Sequence, residues 1–416
     1  MAKRTERTLK LLARVNASTK TSREMTSGIL LYVARHPDVE VMLYGPGTAY
    51  SRLDEFREWK PDGLISNIPV GAKLGDAMDI GIRAIVLPNV EPSPKCPIKA
   101  ASVFCDNDAV AATAFAHFAA RGLKHLAYVG APREYGMFTR SDGRTIHDER
   151  LPRRVSEEPV WSRLRGDALR RCAENGGCSF AAYASDGSSR RKNGASQSIK
   201  ALAEWLAALS KPCGILAAND MRAKETLDAC ALAGIAVPVQ ALVLGVDNEE
   251  FICRQTRPTL SSVITDCVSG GYIEAETLVA LLRGRERRLP RREFGVVGVA
   301  RRLSTSDPHD ARVIAERADA FIKEHAADDI RLGDIAKAAF ASKRLLQMDY
   351  KAAMGQTVSE AILNERLRRV CDMLLETATP IGEIGPLCGF GSAGYLQRLF
   401  RSRFGCTMRD WRKDHR

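Results

Sequence analysis

Short apolar runs alternate with amphipathic stretches from about residue 9 to residue 300. Turn-forming residues bound the apolar runs, and apolar residues recur at helical spacing between most of them, as in Asp108–Arg121 and Met221–Ala233. This alternation predicts parallel sheets with helices on both faces, and about eleven strands are too many for one sheet, so we expect two lobes. The predicted strands are Leu9–Val15, Val39–Tyr44, Gly63–Ser66, Ala84–Leu87, Ser102–Cys105, His125–Val129, Ser179–Tyr183, Gly214–Ala217, Leu242–Val246, Ser261–Thr265 and Phe294–Val299.

The pattern changes near residue 303. The polar segment Leu303–Asp310 contains a proline and is typical of a linker, and only helical patterns with short breaks follow it. The sequence therefore predicts an α/β domain over 1–303, a linker over 304–310 and an all-α domain over 311–416.

Two similar helical units are predicted in the all-α domain. Each pairs a short helix with a longer one that begins after a serine N-cap, Ser342 or Ser392, and the long helix Val358–Glu376 joins them. This arrangement predicts helix-turn-helix motifs at about 331–353 and 381–404, whose second helices would enter the major groove of DNA.

Composition narrows the class of protein. Of the 416 residues, 45% are hydrophobic, which excludes a mainly disordered or fibrous chain. The formal net charge of +12 leaves nucleic acid, a membrane surface and an acidic ligand open as partners. The densest basic run, Arg283–Arg302, has eight Arg against two Glu, and it is open whether this run contacts DNA or lies on a solvated surface.

Several other classes are disfavoured. No apolar run approaches the roughly 18–20 residues of a membrane span, the N-terminus is a poor signal peptide, and the 11 cysteines form no CxxC pair. These features predict a cytoplasmic protein with reduced thiols, no membrane partner, no metal site and no cofactor. Catalysis is disfavoured as well, because GxxxxGK[ST], HExxH and GxSxG motifs are absent.

One C-terminal segment carries a family resemblance. Residues 381–412, IGEIGPLCGFGSAGYLQRLFRSRFGCTMRDWR, resemble the signature of AraC/XylS-type transcription regulators, with Ile384, Phe390, Phe400 and Trp411 at the family's spacing. Residues 332–355 resemble the first motif of that family. Three positions depart from it, namely Asp349, Pro386 and Met408.

The resemblance implies which residues face DNA. Arginine and glutamine suit this role because each can pair bidentately with a guanine or adenine edge, although each is also common on solvated helix surfaces. The implied base-facing residues are Arg344, Gln347 and Met348 in the first motif and Ala393, Gly394, Gln397 and Arg398 in the second. Lys343 and Arg401 are either phosphate contacts or ordinary surface residues.

The α/β region carries a second resemblance. The segments 103–130, 213–238 and 242–266 resemble the periplasmic-binding-protein-like sensor domain of LacI/GalR regulators, and the whole chain resembles the xylose operon regulator (XylR) group, which joins this sensor to a C-terminal AraC-type domain. The implied fold is a two-lobed periplasmic-binding-protein-like domain followed by an all-α domain with two helix-turn-helix motifs.

Candidate effector residues lie at the carboxyl ends of predicted strands, where ligands bind in such folds. Asn219 and Asp220 follow one strand, Asp247 follows the next, and Asp106 is a weaker candidate. Arg163 matches the sensor family's ligand-facing arginine by its RxxG spacing. Helix capping is the alternative role for Asp220 and Asp106, and a turn is the alternative for Asp247.

These observations predict a DNA-binding transcription regulator that senses a small sugar, a pentose such as xylose. The expected partners are double-stranded operator DNA, a monosaccharide effector and a second copy in a homodimer, with RNA polymerase as a further partner to consider. The alternatives are the same architecture sensing a non-sugar molecule, or a sugar-binding protein without a regulatory role.

Overall fold

A computed structural model of the chain resolves into two compact units, residues 1–305 and 306–416. The residues that the structure describes are 7–17, 19–45, 48–50, 52–66, 74–92, 94–132, 158–183, 188–307 and 310–415, without the side chains of 74–75 and 188–197. The segment Pro132–Pro159 contains Gly, Pro and mixed charges without periodicity, which predicts a long surface loop, and most of it lies outside the described residues. No helix of the described chain is long and apolar enough to cross a membrane.

Unit one contains two six-stranded sheets. Their orders are β11-β5-β4-β3-β1-β2 and β12-β10-β9-β8-β6-β7, and every pairing is parallel except that of β12 with β10. The strands are β1 (Leu9–Arg14), β2 (Val39–Tyr44), β3 (Gly63–Ile65), β4 (Ala84–Pro88), β5 (Lys99–Cys105), β6 (His125–Val129), β7 (Ser179–Tyr183), β8 (Cys213–Ala217), β9 (Ala241–Val246), β10 (Ser261–Thr265), β11 (Arg292–Phe294) and β12 (Val296–Ala300).

Helices cover both faces of these sheets, as the sequence predicts. The central strands β8 and β9 are buried along their whole length, which explains their continuous apolar sequence. The helices of unit one are α1 (Lys20–Arg35), α2 (Leu74–Asp79), α3 (Asn107–Ala119), α4 (Val160–Asn175), α5 (Ser188–Ala207), α6 (Asp220–Leu232), α7 (Glu250–Gln255) and α8 (Cys267–Arg283).

The predicted strand Phe294–Val299 is wrong in one respect, because it is two strands in different sheets. β11 ends at Phe294 in the first sheet, and β12 begins at Val296 in the second. The uniform β propensity of this stretch conceals the break, and Gly295 between the strands is the only local sign of it.

The chain crosses between the lobes three times, and the crossings lie side by side. They follow β5, β10 and β11, each at the carboxyl end of its strand. The Asp106 N–H donates to the Phe294 carbonyl at 2.8 Å, and the Asp266 N–H donates to the Gly295 carbonyl at 3.0 Å. The carboxyl ends of both sheets therefore point toward one another across a three-stranded hinge.

Helices α1 and α8 of the first lobe pack backbone against backbone. A Cβ atom at Gly28 would lie 1.9 Å from the Val268 carbonyl oxygen, and one at Gly271 would lie 1.8 Å from that of Met25. Both distances are far inside van der Waals contact, so this approach requires glycine at both positions.

Unit two is entirely helical within its described residues. Its helices are α9 (Ala311–His325), α10 (Leu332–Ala338), α11 (Lys343–Met354), α12 (Val358–Glu376), α13 (Ile381–Leu387), α14 (Ala393–Phe404) and α15 (Met408–His415). Two apolar clusters form its core, one around Leu346 and Tyr350 and the other around Phe400 and Leu396. The predicted architecture, an α/β unit followed by an all-α unit, is confirmed.

The start of the linker differs from the predicted residue 304. Leu303–Thr305 form a short 3₁₀ turn, and the Ser304 and Thr305 side chains are fully buried within unit one. The chain therefore leaves unit one after Thr305.

Candidate functional site

The loop after β9 has a conformation that non-glycine residues rarely adopt. Asp247 has a φ of +99° and Asn248 a φ of +53°. Asp247 remains partly exposed, and among the described residues its carboxyl group is influenced by the charges of Arg165 and Lys20 without a hydrogen bond to either. Strained backbone and a partly buried carboxylate at a strand end are typical of a ligand site rather than of a simple turn.

Charges around Asp247 act on its carboxyl group in opposite directions. Burial raises the pKa of Asp247, while the guanidinium of Arg165 and the ammonium of Lys20 lower it. Lys20 also donates to the Asp247 carbonyl at 3.2 Å. A ligand donor that hydrogen-bonds to the carboxylate would favour its charged form.

Arg165 is the arginine that lies at the carboxyl ends of these strands. Its side chain is buried, its Nε donates to Asn107 Oδ1 at 3.1 Å, and a second N–H donates to the Ala218 carbonyl. Its guanidinium lies 5.3 Å from the ring centroid of Trp161, a cation–π contact. These contacts hold the arginine between the ends of β8 and β5.

Arg163, the arginine chosen by the RxxG spacing, is not brought to the same place. It is exposed on α4, while Arg165 lies on the buried face of that helix. Two residues along a helix correspond to a rotation of about 200°, so the two side chains point to opposite faces.

Asn107 contributes an unused donor to the site. The residue is buried at the start of α3, and its Oδ1 is occupied by Arg165. Its Nδ2 is buried with no partner in the described chain. Such a group is costly unless a ligand or water accepts from it.

The remaining predicted effector residues have local structural partners. Asp106 caps α3 by accepting from the Ala109 N–H at 2.8 Å, and Asn219 caps α6 by accepting from the Arg222 N–H at 2.9 Å. Both retain partial exposure, so a ligand contact at either residue stays a prediction.

Asp220 is almost fully buried, and both of its carboxylate oxygens are engaged within the protein. Oδ1 accepts from the Ser262 hydroxyl and Oδ2 from the Glu249 N–H, each at 2.6 Å. Burial, reinforced by the charge of Asp247, raises the pKa of Asp220 to about 7. The geometry supports a role for Asp220 in shaping the loop beside Asp247.

The two lobes touch directly beside Asp247, a contact that sequence reasoning missed. The backbone N–H of Lys20 in the first lobe donates to Glu249 Oε2 in the second at 2.6 Å, and Arg23 lies 3.8 Å from the same carboxylate. The only sequence signal was Thr19, a good N-cap that places the positive start of α1 at this edge.

In unit two, both predicted recognition helices have well-formed ends. Ser342 caps α11 and Ser392 caps α14 through the N–H three residues later, at 3.2 and 3.3 Å. Gly355 and Gly405 end these helices in the left-handed conformation.

The turn of the second motif requires glycine. Gly389 has a φ of +84°, and a Cβ atom there would lie within 3.0 Å of the carbonyls of Ala326 and Ala327. Phe340, with a φ of +53°, forms the corresponding turn of the first motif.

The residues predicted to face DNA are all exposed. They lie at the start and on the outer face of α11 and α14, while Leu346, Tyr350, Leu396 and Phe400 hold the opposite faces in the core. The exposed residues are Lys343, Arg344, Gln347, Met348, Ala393, Gly394, Gln397, Arg398 and Arg401.

The departures from the family pattern are accommodated. Met408 is buried at the start of α15 against the second core, and Pro386 lies in the last turn of α13. Asp349 is partly buried on α11 rather than fully exposed on its outer face.

Comparison with known proteins matches both units. A periplasmic-binding-protein-like domain model matches residues 115–305, and a helix-turn-helix domain model matches residues 335–414. The xylose operon regulatory protein of Escherichia coli (strain K12) is 25% identical over 400 residues, which cover 95% of each chain. The chain is a transcription regulator.

Further relatives agree with this assignment. The xylose operon regulatory protein of Haemophilus influenzae is 28% identical over 307 residues, covering 74% of the regulator and 73% of that protein. The solved structure of the xylose-binding transcription activator XylR shares the fold, with a TM-score of 0.57, 23% identity and 99% of each chain covered. The regulator joins a periplasmic-binding-protein-like domain to a helix-turn-helix domain.

Proposed function

We propose that the regulator binds a monosaccharide, a pentose such as xylose, at the carboxyl ends of β8 and β9. The observation that carries this proposal is Asp247, whose backbone has a φ of +99° and whose partly buried carboxyl group lies near the charges of Arg165 and Lys20 without a hydrogen bond to either. Sugar hydroxyls donate to carboxylates and accept from guanidinium and amide groups, so Asp247, Arg165 and the Asn107 amide form a suitable set. The names of the xylose operon relatives support a pentose.

Sugar binding closes the two lobes around the ligand in this proposal. The Lys20–Glu249 contact already joins the two lobes in this structure, and a bound sugar would favour the closed form that keeps it. Closure changes how unit two engages operator DNA, and coupling of this kind is typically worth about 1–3 kcal/mol and acts in both directions.

The sugar site is tested by titrating the full chain with D-xylose and a panel of pentoses and hexoses, followed by calorimetry and thermal unfolding. The variant Asp247→Asn keeps the shape but loses the charge, and we expect at least about a tenfold loss of sugar affinity. Asp228→Asn is the control, because Asp228 is an exposed partner of Lys224 on α6. Binding of none of the sugars by the unmodified regulator contradicts the proposal, and a response to a non-sugar metabolite instead identifies that class as the effector.

The same proposal assigns operator recognition to α11 and α14. Arg344, Gln347, Gln397 and Arg398 read base edges, while Lys343 and Arg401 contact phosphates. A homodimer places two copies of these helices on repeated half-sites, and RNA polymerase is the expected partner where the regulator activates transcription. Gel-shift titration of the upstream intergenic DNA at low salt tests this part, and absence of binding overturns it.

A further inference from the structure

The last residues of unit one are bound tightly to the second sheet. The Ser304 hydroxyl donates to the Val243 carbonyl of β9 at 2.6 Å, and the Ser304 N–H donates to the Thr259 carbonyl at 2.9 Å. Ser304 and Thr305 are fully buried, although the chain leaves for unit two at the next residue. The exit from unit one is therefore a fixed point rather than a loose end.

Thr305 sits at the centre of this anchor. Its hydroxyl donates to Ser261 Oγ at 2.8 Å and lies 2.8 Å from Nε2 of His117, and its carbonyl accepts from Arg121 Nε at 2.8 Å. Burial, together with the charges of Arg121 and Arg301, lowers the pKa of His117 to about 4, so the ring is neutral at pH 7. Nε2 therefore carries the ring proton and donates to the Thr305 hydroxyl oxygen, and the Thr305 hydroxyl in turn donates to Ser261 Oγ.

Arg302 connects this anchor to the loop that carries Asp247. One end of its guanidinium donates to Asn248 Oδ1 at 2.8 Å, and the other donates to the Leu260 carbonyl at 2.9 Å. Its own backbone N–H and carbonyl both bond Ser261 Oγ at 2.8 Å, the same oxygen that accepts from Thr305. One residue thus reaches both the loop and the anchor.

The loop end of this connection is equally well defined. The Asn248 N–H donates to Ser262 Oγ at 2.9 Å, and that hydroxyl donates to Asp220. Asn248 has a positive φ and directly follows Asp247, so a shift of the Asp247 backbone must move the amide that Arg302 holds.

We propose that Arg302 is a positioning residue that ties the Asp247–Glu249 loop to the exit of unit one, so that the state of this loop sets how firmly the segment leading into unit two is held. The link from the loop to an effector rests on the proposed function. The link from the loop to the exit is a property of the protein alone and can be tested without any sugar.

The test is hydrogen–deuterium exchange on the full chain without ligand, read at the amides of residues 303–306. Asn248→Ala removes the acceptor at the loop end and leaves every bond of the anchor in place. We expect this change to raise exchange at 303–306 by about fivefold, the effect of losing one net hydrogen bond. Arg302→Gln should raise it at least as much, and the double variant should add nothing beyond Arg302→Gln.

Matched variants separate this role from general loosening. Glu250→Ala alters an exposed residue of α7 that pairs with Arg254, and Arg285→Gln alters an exposed arginine of the same basic run; neither should change exchange at 303–306. Arg302→Lys keeps one donor and should restore part of the protection, and it replaces Arg302→Gln if that variant does not fold. Unchanged exchange at 303–306 in Asn248→Ala overturns this proposal whether or not the chain binds a sugar. Its failure is therefore distinct from failure of the proposed sugar site.

Discussion

At the scale of single residues, buried titratable groups make the stability of unit one depend on pH. Glu274 on α8 is almost fully buried, one of its carboxylate oxygens has no partner in the described chain, and burial raises its pKa to about 8. Because its pKa is raised on folding, Glu274 stabilises the protein in its protonated form at low pH, and this contribution is lost as pH rises through 8.

We therefore expect Glu274→Gln to flatten the loss of stability between pH 7 and pH 9. The gain over the unmodified regulator at pH 9, relative to pH 7, should be on the order of 1 kcal/mol, measured by thermal unfolding at both values. Glu276→Gln is the control, because Glu276 lies on the same helix as Glu274 but is more exposed than Glu274 and pairs with Arg292. Parallel pH profiles for Glu274→Gln and the unmodified regulator would contradict the assignment.

Much of the candidate site was predictable from sequence, because strand ends can be located from apolar runs and polar residues follow them. This reasoning predicts Asp247 as a candidate. It does not predict Arg165, because the RxxG spacing favours Arg163 and only the phase of α4, which begins at Val160, decides which arginine faces inward. The Lys20–Glu249 contact joins residues distant in sequence and had no local signal beyond an N-cap.

At the scale of elements, α11 and α14 have matched construction. Each begins at a serine cap, ends at a left-handed glycine and buries one apolar stripe. The two helices differ in net charge, because the three arginines of α14 (Arg398, Arg401 and Arg403) are unopposed within that helix, whereas the partly buried Asp349 offsets the three basic residues of α11 (Lys343, Arg344 and Lys351). The second motif is therefore expected to supply the larger share of the electrostatic attraction to DNA.

We expect Arg398→Ala to weaken operator binding by roughly 10- to 100-fold, because a bidentate pair to guanine is worth about 1–3 kcal/mol. Thermal unfolding should be unchanged, since the side chain is exposed. Fluorescence anisotropy with operator and scrambled duplexes measures the effect, and Lys323→Ala on α9, an exposed partner of Asp319, is the control. An equal loss on both duplexes would assign Arg398 to phosphate instead of base contact.

The fold could be predicted at the level of elements because helix and strand periodicities are strong in this chain. The failures fall where tertiary contacts override them. The break at Gly295 depends on two sheets competing for adjacent segments, and α15 begins at Met408, whose burial against the second core could not be inferred from its own short sequence.

At the scale of the whole molecule, the dense basic run is largely occupied within unit one. Arg283 pairs with Asp38, Arg292 with Glu276 at 2.5 Å, and Arg287 donates to the Pro97 carbonyl at 2.6 Å. Arg291 lies over the ring of Phe104 at 4.2 Å, and Arg302 holds Asn248. These contacts favour a structural role for the run over a DNA contact.

We accordingly expect the double change of Arg287 and Arg288 to Ala to leave the salt dependence of operator binding unaltered. Arg401→Ala should reduce the slope of log affinity against log salt by about 1, the effect of losing one phosphate contact. Titrations of operator DNA at roughly 50 to 200 mM salt measure the slope for each variant and allow a direct comparison. A flatter slope in the Arg287 and Arg288 variant would place the run on DNA.

The two glycines between α1 and α8 have a consequence for how this sequence can vary. Each accommodates the carbonyl of the other helix, so neither can accept even one methyl group without separating the helices along their length. A saturation library selected for folded protein should therefore leave Gly28 and Gly271 nearly invariant, although neither lies in the Asp247–Glu249 loop or in the recognition helices α11 and α14. In this part of the molecule, tolerance to mutation is limited by backbone proximity rather than by function.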